Sequence, residues 1–309
     1  MIRDGELTSA DLRFFVTLAA APTLAAASRV LDVSRSAVTQ RLAQLETRLR
    51  CRLLDRSKRR LRPTTEGELL LERARSVLSD LDDLAGLLNA RREVVSGHLR
   101  VAAPLGFGRR YVTPVLAEFR ERYPGVAVTL TLTDHPATAD DDNWDVIVHI
   151  GELRNSSLVM VRLAPNDRVV CAAPAYFAKR SALRVPGDLA AHACLALRQN
   201  EEDVTLWRFT DRRGKTTPVR VTPAMASNDG ESVHAWALAG LGVIVRSEWD
   251  VVDDLRSGRL RRLLPGYSLP SADVVALLGR RGGRTARANA FLKLLQESLK
   301  PTPWRREPG

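Results

Sequence analysis

Ser34, Arg35, Ser36, Thr39 and Gln40 stand together at the head of a helical pattern, and all carry short or forked hydrogen-bonding side chains. Presented from the N-terminal end of a helix, such groups reach base edges in the major groove of a duplex. Arg pairs with guanine, and Gln with adenine, through two hydrogen bonds each. Arg41 and Arg48, further along the same pattern, suit phosphate contacts, which position a protein without reading sequence. Leu53 to Pro63 then reads as a short strand, a basic turn and a return strand. Its Arg56, Arg59 and Arg60 are available to the minor groove or to the phosphates beside it.

The elements around these residues follow from spacing. Leu12, Phe15, Val16 and Ala19 predict a helix over 10–20, and Pro22 breaks it. Thr23 is a capping residue for a second helix, with Ala26, Ala27, Val30 and Leu31 as its buried face. Asp32 and Val33 form a turn, with Val33 as the apolar plug, and Ser34 caps a third helix. Val38, Leu42, Leu45 and Leu49 then repeat at i, i+4, i+7 and i+11, one buried stripe opposite the polar row. The order is that of a helix-turn-helix followed by a wing. A plain three-helix bundle with a solvated polar face is the alternative, and the basic hairpin pattern in the wing's place weighs against it.

Thr65 to Glu68 has the form of a capping box. Leu69, Leu70, Ala74, Val77, Leu78, Leu81, Leu84, Leu87 and Leu88 continue an apolar stripe over many turns. Residues 64–90 read as a linker and dimerisation helix, since a long leucine face finds another helix. A core helix of the following domain is the alternative. Beyond Gly97 the pattern becomes α/β, with a largely parallel sheet. Strands are predicted at 98–103, 126–132, 145–149, 159–163, 168–173, 243–246 and 273–278, the last crossing back to the first lobe. Helices are predicted at 112–123, 174–180, 186–190, 231–239 and 285–299, and Lys300 to Gly309 reads as a loose tail.

The 309 residues leave room for more than one domain, and the net charge of +11 favours a polyanionic partner. Thirteen Lys and Arg against six Asp and Glu leave +7 of that within residues 1–62. Glu66, Glu68, Glu72, Asp80, Asp82 and Asp83 make the long helix acidic, so the basicity belongs to the N-terminal segment. Cys51, Cys171 and Cys194 are odd in number and widely spaced, which argues against a disulfide framework or a zinc site. Charged residues interrupt the N-terminal segment, so no signal peptide is read, and no stretch approaches the roughly 20 apolar residues of a membrane span. The expectation is a soluble, cytoplasmic protein without metal or cofactor.

Leu12-x-x-Phe15, Ala26-Ala27-x-x-x-Leu-x-Val-Ser34-x-Ser-Ala-Val-Thr39, Leu45-Glu46-x-x-Leu, Leu53-Leu-x-Arg56 and Pro63-Thr64-x-x-Gly67 together resemble the LysR-type transcriptional regulators. Gly97-x-Leu-Arg-Val, Pro104-x-Gly-Phe-Gly108, Asp145-Val-x-x-x-x-Gly151, Cys171-Ala-Ala-Pro-x-Tyr176 and Ser227-Asn-Asp-Gly230 extend the resemblance over nearly the whole chain. It implies a winged helix-turn-helix over 1–62, a linker helix over 63–92 and a two-lobed effector domain over 93–309, similar to periplasmic binding proteins. Lobe I would cover about 93–166 and 270–300, and lobe II about 167–269. It further implies double-stranded promoter DNA as partner, a homodimer or homotetramer, and RNA polymerase as a partner of an activator. A small-molecule effector would lie between the lobes, against Leu105, Gly106, Phe107, Gly108, His149, Ile150, Gly151, Ser227, Asn228 and Asp229. Backbone N–H groups at a helix N-terminus near Gly108 would suit a carboxylate; the same glycines also serve simply to turn strand into helix.

Three positions depart from the family pattern. Arg50 stands where a glycine ends the recognition helix, so either it adopts a left-handed conformation or the helix ends differently. Pro22-Thr23 replaces Gly-Ser. His149 replaces a common arginine, as a structural histidine or as a source of pH dependence.

Competing functions fare worse. No Ser-His-Asp spacing, phosphate-binding glycine loop or metal cluster supports catalysis, and Asp140 to Asp142 reads as an exposed loop. A transport-type binding protein leaves residues 12–62 unexplained. A thiol redox sensor would need a reactive, exposed cysteine with a resolving partner, whereas Cys171 and Cys194 fall in or beside apolar strands.

Overall fold

A computed structural model describes residues 7–55, 61–90, 95–135, 144–151, 158–198, 203–278 and 285–306. Contacts divide the chain into two units, Met1–Arg92 and Glu93–Gly309.

In the first unit, helix α1 (Ser9–Ala20) opens on a reciprocal cap between Thr8 and Asp11. After Pro22, Thr23 caps α2 (Leu24–Val30) by accepting from Ala26 N–H. Ser34 caps α3 (Arg35–Leu49) in the same way through Ala37 N–H. Phe14, Phe15 and Leu18 of α1 meet Ala27 of α2 and Val38, Leu42 and Leu45 of α3 in one buried core. Val30 and Val33 lie outside it, 71% and 47% exposed, so neither is the buried contact expected. In a helix of seven residues the inward row is Leu24, Ala27 and Leu31, which turns Val30 outward.

Arg50 settles the end of α3 by adopting the left-handed conformation, φ 54° and ψ 28°, with its N–H donating to the carbonyls of Glu46 and Thr47. Glu46 then holds the chain as it leaves the helix, its Oε1 accepting from Leu53 N–H at 2.9 Å and Leu54 N–H at 3.3 Å. Strands β1 (Leu54–Asp55) and β2 (Arg62–Pro63) pair antiparallel as the base of the wing. Helix α4 (Thr65–Ala90) follows, but its cap is Thr64, whose hydroxyl accepts from Gly67 N–H at 3.0 Å, not the expected Thr65. Gly67 is required there: a Cβ would stand 2.0 Å from the carbonyl oxygen of Leu53. Ala74 and Leu78 of α4 pack on Leu12 of α1, while Leu69, Val77 and Leu81 stay exposed.

The second unit starts with β3 (Gly97–Pro104), α5 (Leu105–Phe107), a π-helical turn (Gly108–Val112) and α6 (Thr113–Arg122). The helical run thus begins at Leu105, seven residues before the predicted start. Next come β4 (Val126–Thr133), β5 (Val146–Ile150), β6 (Val159–Ala164), β7 (Arg168–Ala172), β8 (Cys194–Leu197), β9 (Leu206–Asp211), β10 (Thr216–Arg220) and β11 (Pro223–Ser227). Helix α7 (Gly230–Leu238), β12 (Val243–Ser247), α8 (Glu248–Arg256), β13 (Arg261–Arg262), β14 (Tyr267–Ser268), β15 (Val274–Leu278) and α9 (Ala286–Ser298) complete it. Predicted helices at 174–180 and 186–190 are 3-10 turns, Pro174–Lys179 and Pro186–Ala191.

Lobe I carries a sheet of order β4-β3-β5-β15-β6, and lobe II one of order β11-β8-β12-β7-β13. Each is mixed where a largely parallel sheet was expected. Strand β15 enters lobe I on the return from lobe II and pairs antiparallel with both β5 and β6. Strand β7, on the outward crossing, likewise opposes β12. A small antiparallel sheet, β10-β9-β14, has no counterpart in the sequence reading.

The expected loose tail is a correction. Pro303–Arg305 forms a 3-10 turn that buries Trp304 to 2% exposure in the lobe I core, against Tyr111 and Phe107. Among the described residues no helix is long and apolar enough to cross a membrane.

Candidate nucleic-acid interface and ligand cavity

The polar row on α3 has a defined local build. Ser34 Oγ, which accepts from Ala37 N–H, lies 2.9 Å from Ser36 Oγ, and Thr39 Oγ1 donates to the carbonyl of Arg35 at 3.0 Å. Arg35, Ser36 and Gln40 are exposed, while Val38, Leu42 and Leu45 anchor the opposite face at 0–1% exposure.

Arg41 and Arg48 are exposed and also make contacts within the unit. Arg41 donates to the carbonyl of Ala10 at 3.0 Å and lies over the Phe14 ring, and Arg48 pairs with Asp11 at 2.8 Å. Seven residues apart, both fall on the side of α3 that meets α1, where Asp11 is 8% exposed. Burial pushes the Asp11 carboxyl up, but hydrogen bonds from Thr8 and Arg48 more than offset it and hold it below the usual carboxylate range. The sequence reading missed this tie; its one signal was an acid at the third position of a capped helix. Arg56, Arg59 and Arg60 lie outside the described residues, as do Asp140 to Asp142.

In the second unit a cavity of about 130 Å³ opens between the lobes. Of the residues expected there, Leu105, Gly106, Ile150 and Asn228 line it. Asn228 also bridges the lobes, its Nδ2 donating to Asp134 Oδ2 at 2.8 Å. Two arginines of the π-helical turn do the same: Arg109 pairs with Glu231 at 2.8 Å and Arg110 with Asp253 at 2.5 Å.

The other expected residues sit around the cavity rather than on its wall. The Phe107 ring is fully buried, 4.9 Å from Tyr111 and 5.4 Å from Trp249 between ring centroids. Gly108 makes room for Leu132, which a Cβ would meet at 2.2 Å. His149, 2% exposed, shares the sheet face of Ile147 and Val275, because side chains alternate along β5 and Ile150 takes the cavity side. Gly151, with φ of 112°, makes the turn beyond that strand. Ser227 and Asp229 shape the turn that presents Asn228. Ser227 Oγ accepts from Asp229 N–H, and Asp229 caps α7 through Ser232 N–H and Oγ.

Residues outside the sequence reading complete the wall: Arg168, Arg246, Trp207 and Trp249, with the acids Asp134 and Asp203. Arg246 is 6% exposed and its Nε donates to Asp250 at 2.7 Å. Asp250 in turn lies 3.5 Å from His234 Nδ1, while His234 Nε2 is 2.8 Å from Asp254 and Arg259 is 2.6 Å from the same carboxylate. Burial opposes the charge on Asp250, but Arg246 and His234 outweigh it and hold its carboxyl down at about 2. Gly230 is the close approach that admits Arg246, since a Cβ there would fall 2.2 Å from Nη2. The only trace of this network in the sequence was a charge ending an apolar strand, followed four residues on by an acid.

The two buried thiols, Cys171 and Cys194, are unsuited to chemistry. Burial pushes Cys171 up to about 12 and Cys194 up to about 11, and β12 lies between their two strands. Among the described residues no group of His, Cys, Asp and Glu could hold a metal ion.

Comparison with known proteins agrees with this geometry. Residues 9–68 match the family described as bacterial regulatory helix-turn-helix protein, lysR family, and residues 92–300 match the LysR substrate binding domain. The chain is 33% identical over 287 residues to the HTH-type transcriptional regulator DmlR of Escherichia coli K12, covering 93% of each chain. It is 32% identical over 267 residues to the HTH-type transcriptional activator TtdR of E. coli UTI89, covering 86% of each. In structure it is similar to CrgA, a LysR-type transcriptional regulator from Neisseria meningitidis, with TM-score 0.59, 27% identity and coverage of 95% of this chain and 99% of that one. A winged helix-turn-helix joined to a two-lobed effector domain, matched along nearly its full length, makes this chain a member of the LysR family: a DNA-binding transcriptional regulator governed by a small-molecule effector.

Proposed function

We propose that Ser34, Arg35, Ser36, Thr39 and Gln40 form the surface that reads promoter DNA, with Arg56, Arg59 and Arg60 on the wing, and that the inter-lobe cavity receives the effector. The observation that carries the reading is the two-sided build of α3. Its polar row is exposed at the N-terminal end while the Val38–Leu42–Leu45 stripe is locked in the core. Arg41, whose side chain stays 46% exposed while it holds α3 against α1, belongs to the same surface as a phosphate contact. Domain limits of 1–62, 63–92 and 93–309 fit this division of labour. The effector is a small carboxylate: at about 130 Å³ the cavity is below the roughly 300–1,000 Å³ of sites for drug-sized ligands. Helix α4 pairs with a second copy in a homodimer or homotetramer, RNA polymerase is the partner if the protein activates, and the cytoplasm is its compartment.

Footprinting tests the reading. Arg35→Ala and Gln40→Ala relax base preference by about 1–3 kcal/mol per lost contact. An unchanged footprint and an unchanged sequence preference would remove the recognition-helix assignment.

A further inference from the structure

Arg246 differs from the other charged groups on the cavity wall. Asp203 accepts from Thr205 N–H at 3.0 Å and Thr205 Oγ1 at 2.6 Å, and pairs with Arg220. Asp134 is held by Asn228 and His135. Among the described residues the hydrogen bonds and ion pairs of Arg246 engage Nε alone, through Asp250, which leaves Nη1 and Nη2 without a protein acceptor. A guanidinium at 6% exposure with two open nitrogens on a cavity wall is an incomplete hydrogen-bonding set. The planar fork matches a carboxylate, which accepts two parallel N–H bonds.

We propose that the cavity takes a small organic carboxylate and that Arg246 recognises it, its terminal nitrogens pairing with the two carboxylate oxygens while Asp250 fixes its Nε. This rests on the reading that the effector lies between the lobes. Asp250 is a positioning residue: it takes one edge of the guanidinium and leaves the other facing the cavity. His234 of α7 braces Asp250 and is itself held by Asp254 of α8, which pairs with Arg259, so the fork is held by a network on rigid elements. Gly230 keeps the space in which the fork lies. Leu105, Ile150, Leu197, Trp207 and Trp249 offer apolar surface to the body of the ligand, and Arg168 adds a second cation to the wall.

The test uses the full chain and a panel of aliphatic mono- and dicarboxylates of up to six carbons, with benzoate, set against the corresponding uncharged amides. Binding is read from the fluorescence of the wall tryptophans and from melting temperature. At least one carboxylate binds and its amide does not. Arg246→Lys keeps the charge without the fork and binds less tightly. Arg246→Leu combined with Asp250→Leu removes both ends of the buried ion pair rather than stranding one charge; with folding verified by circular dichroism, affinity falls by about 10–100-fold. Wild-type affinity in the double variant overturns the proposal, as does binding of amides as tight as carboxylates, or binding of no panel member. Amides that alter both fluorescence and DNA binding leave the cavity reading standing and remove the carboxylate; a cavity indifferent to both classes removes the two together.

Discussion

The indole N–H of Trp304 donates to the backbone carbonyl of Pro165 at 3.2 Å, tying the end of the chain to the segment where it first crosses between the lobes. Arg305 adds bonds to Asp167 at 2.8 Å and Glu248 at 2.6 Å. Trp304→Ala should lower unfolding free energy by about 3–5 kcal/mol, as for other buried aromatic truncations. Arg305→Ala, acting on partly exposed pairs, should cost about 0–1 kcal/mol. Urea unfolding of the two variants measures both, and a Trp304 effect no larger than that of Arg305 would return this segment to a loose tail.

Arg50 ends α3 with a side chain in a conformation that costs a residue with a Cβ about 1–2 kcal/mol. Arg50→Gly relieves that strain against a larger entropy loss on folding. Thermal melting should show a net gain of about 0.5–1 kcal/mol, and a loss would mean that the Arg50 side chain makes a stabilising contact.

His234 makes stability depend on pH. Burial lowers its affinity for a proton, but the Asp250 hydrogen bond and the charges of Asp250 and Asp254 more than restore it, against opposition from Arg246. With the folded value above the unfolded one of about 6.5, protonated His234 stabilises fully below that pH. The contribution disappears as pH rises through the folded value. His234→Gln should therefore cost about 1.5–3 kcal/mol at pH 6 and much less at pH 9. Equal losses at both pH values would show a packing role instead.

Cys171 and Cys194 lie on β7 and β8, with β12 between them, which sets them about 9–10 Å apart. That exceeds the reach of a disulfide, about 7 Å between Cα atoms. A protein with Cys171→Ala and Cys194→Ala should bind DNA as wild type does, before and after treatment with hydrogen peroxide. Loss of a peroxide response in the variant would restore the thiol-sensor alternative.

Leu69, Val77 and Leu81 leave an apolar stripe exposed on α4, at 59%, 45% and 39%. Replacing Val77 and Leu81 with Glu should shift the sedimentation coefficient toward that of a monomer while far-ultraviolet circular dichroism stays unchanged. An undisturbed oligomer would place the interface on another face.

Local rules carried the first unit. Caps at Thr23 and Ser34, the break at Pro22 and the stripe Val38–Leu42–Leu45 are short-range signals, and they placed α2 and α3 with the polar row outward. The same rules misjudged Val30 and Val33, because burial depends on which neighbour a side chain faces and not on its own hydropathy. In the second unit, spacing located most strands of the two main sheets but not their directions, since a crossover between lobes leaves no local mark.

Composition and periodicity by themselves determined that this chain carries a basic helix-turn-helix, a long leucine-faced helix and an α/β region. Each of these is written in residues a few positions apart. Tertiary structure alone decided that Arg48 is held by Asp11, that His149 turns from the cavity while Arg246 faces it, and that Trp304 closes the lobe I core. Those pairings join residues far apart in the chain, and a buried charge or indole declares its role only when folding brings its partner within hydrogen-bonding distance.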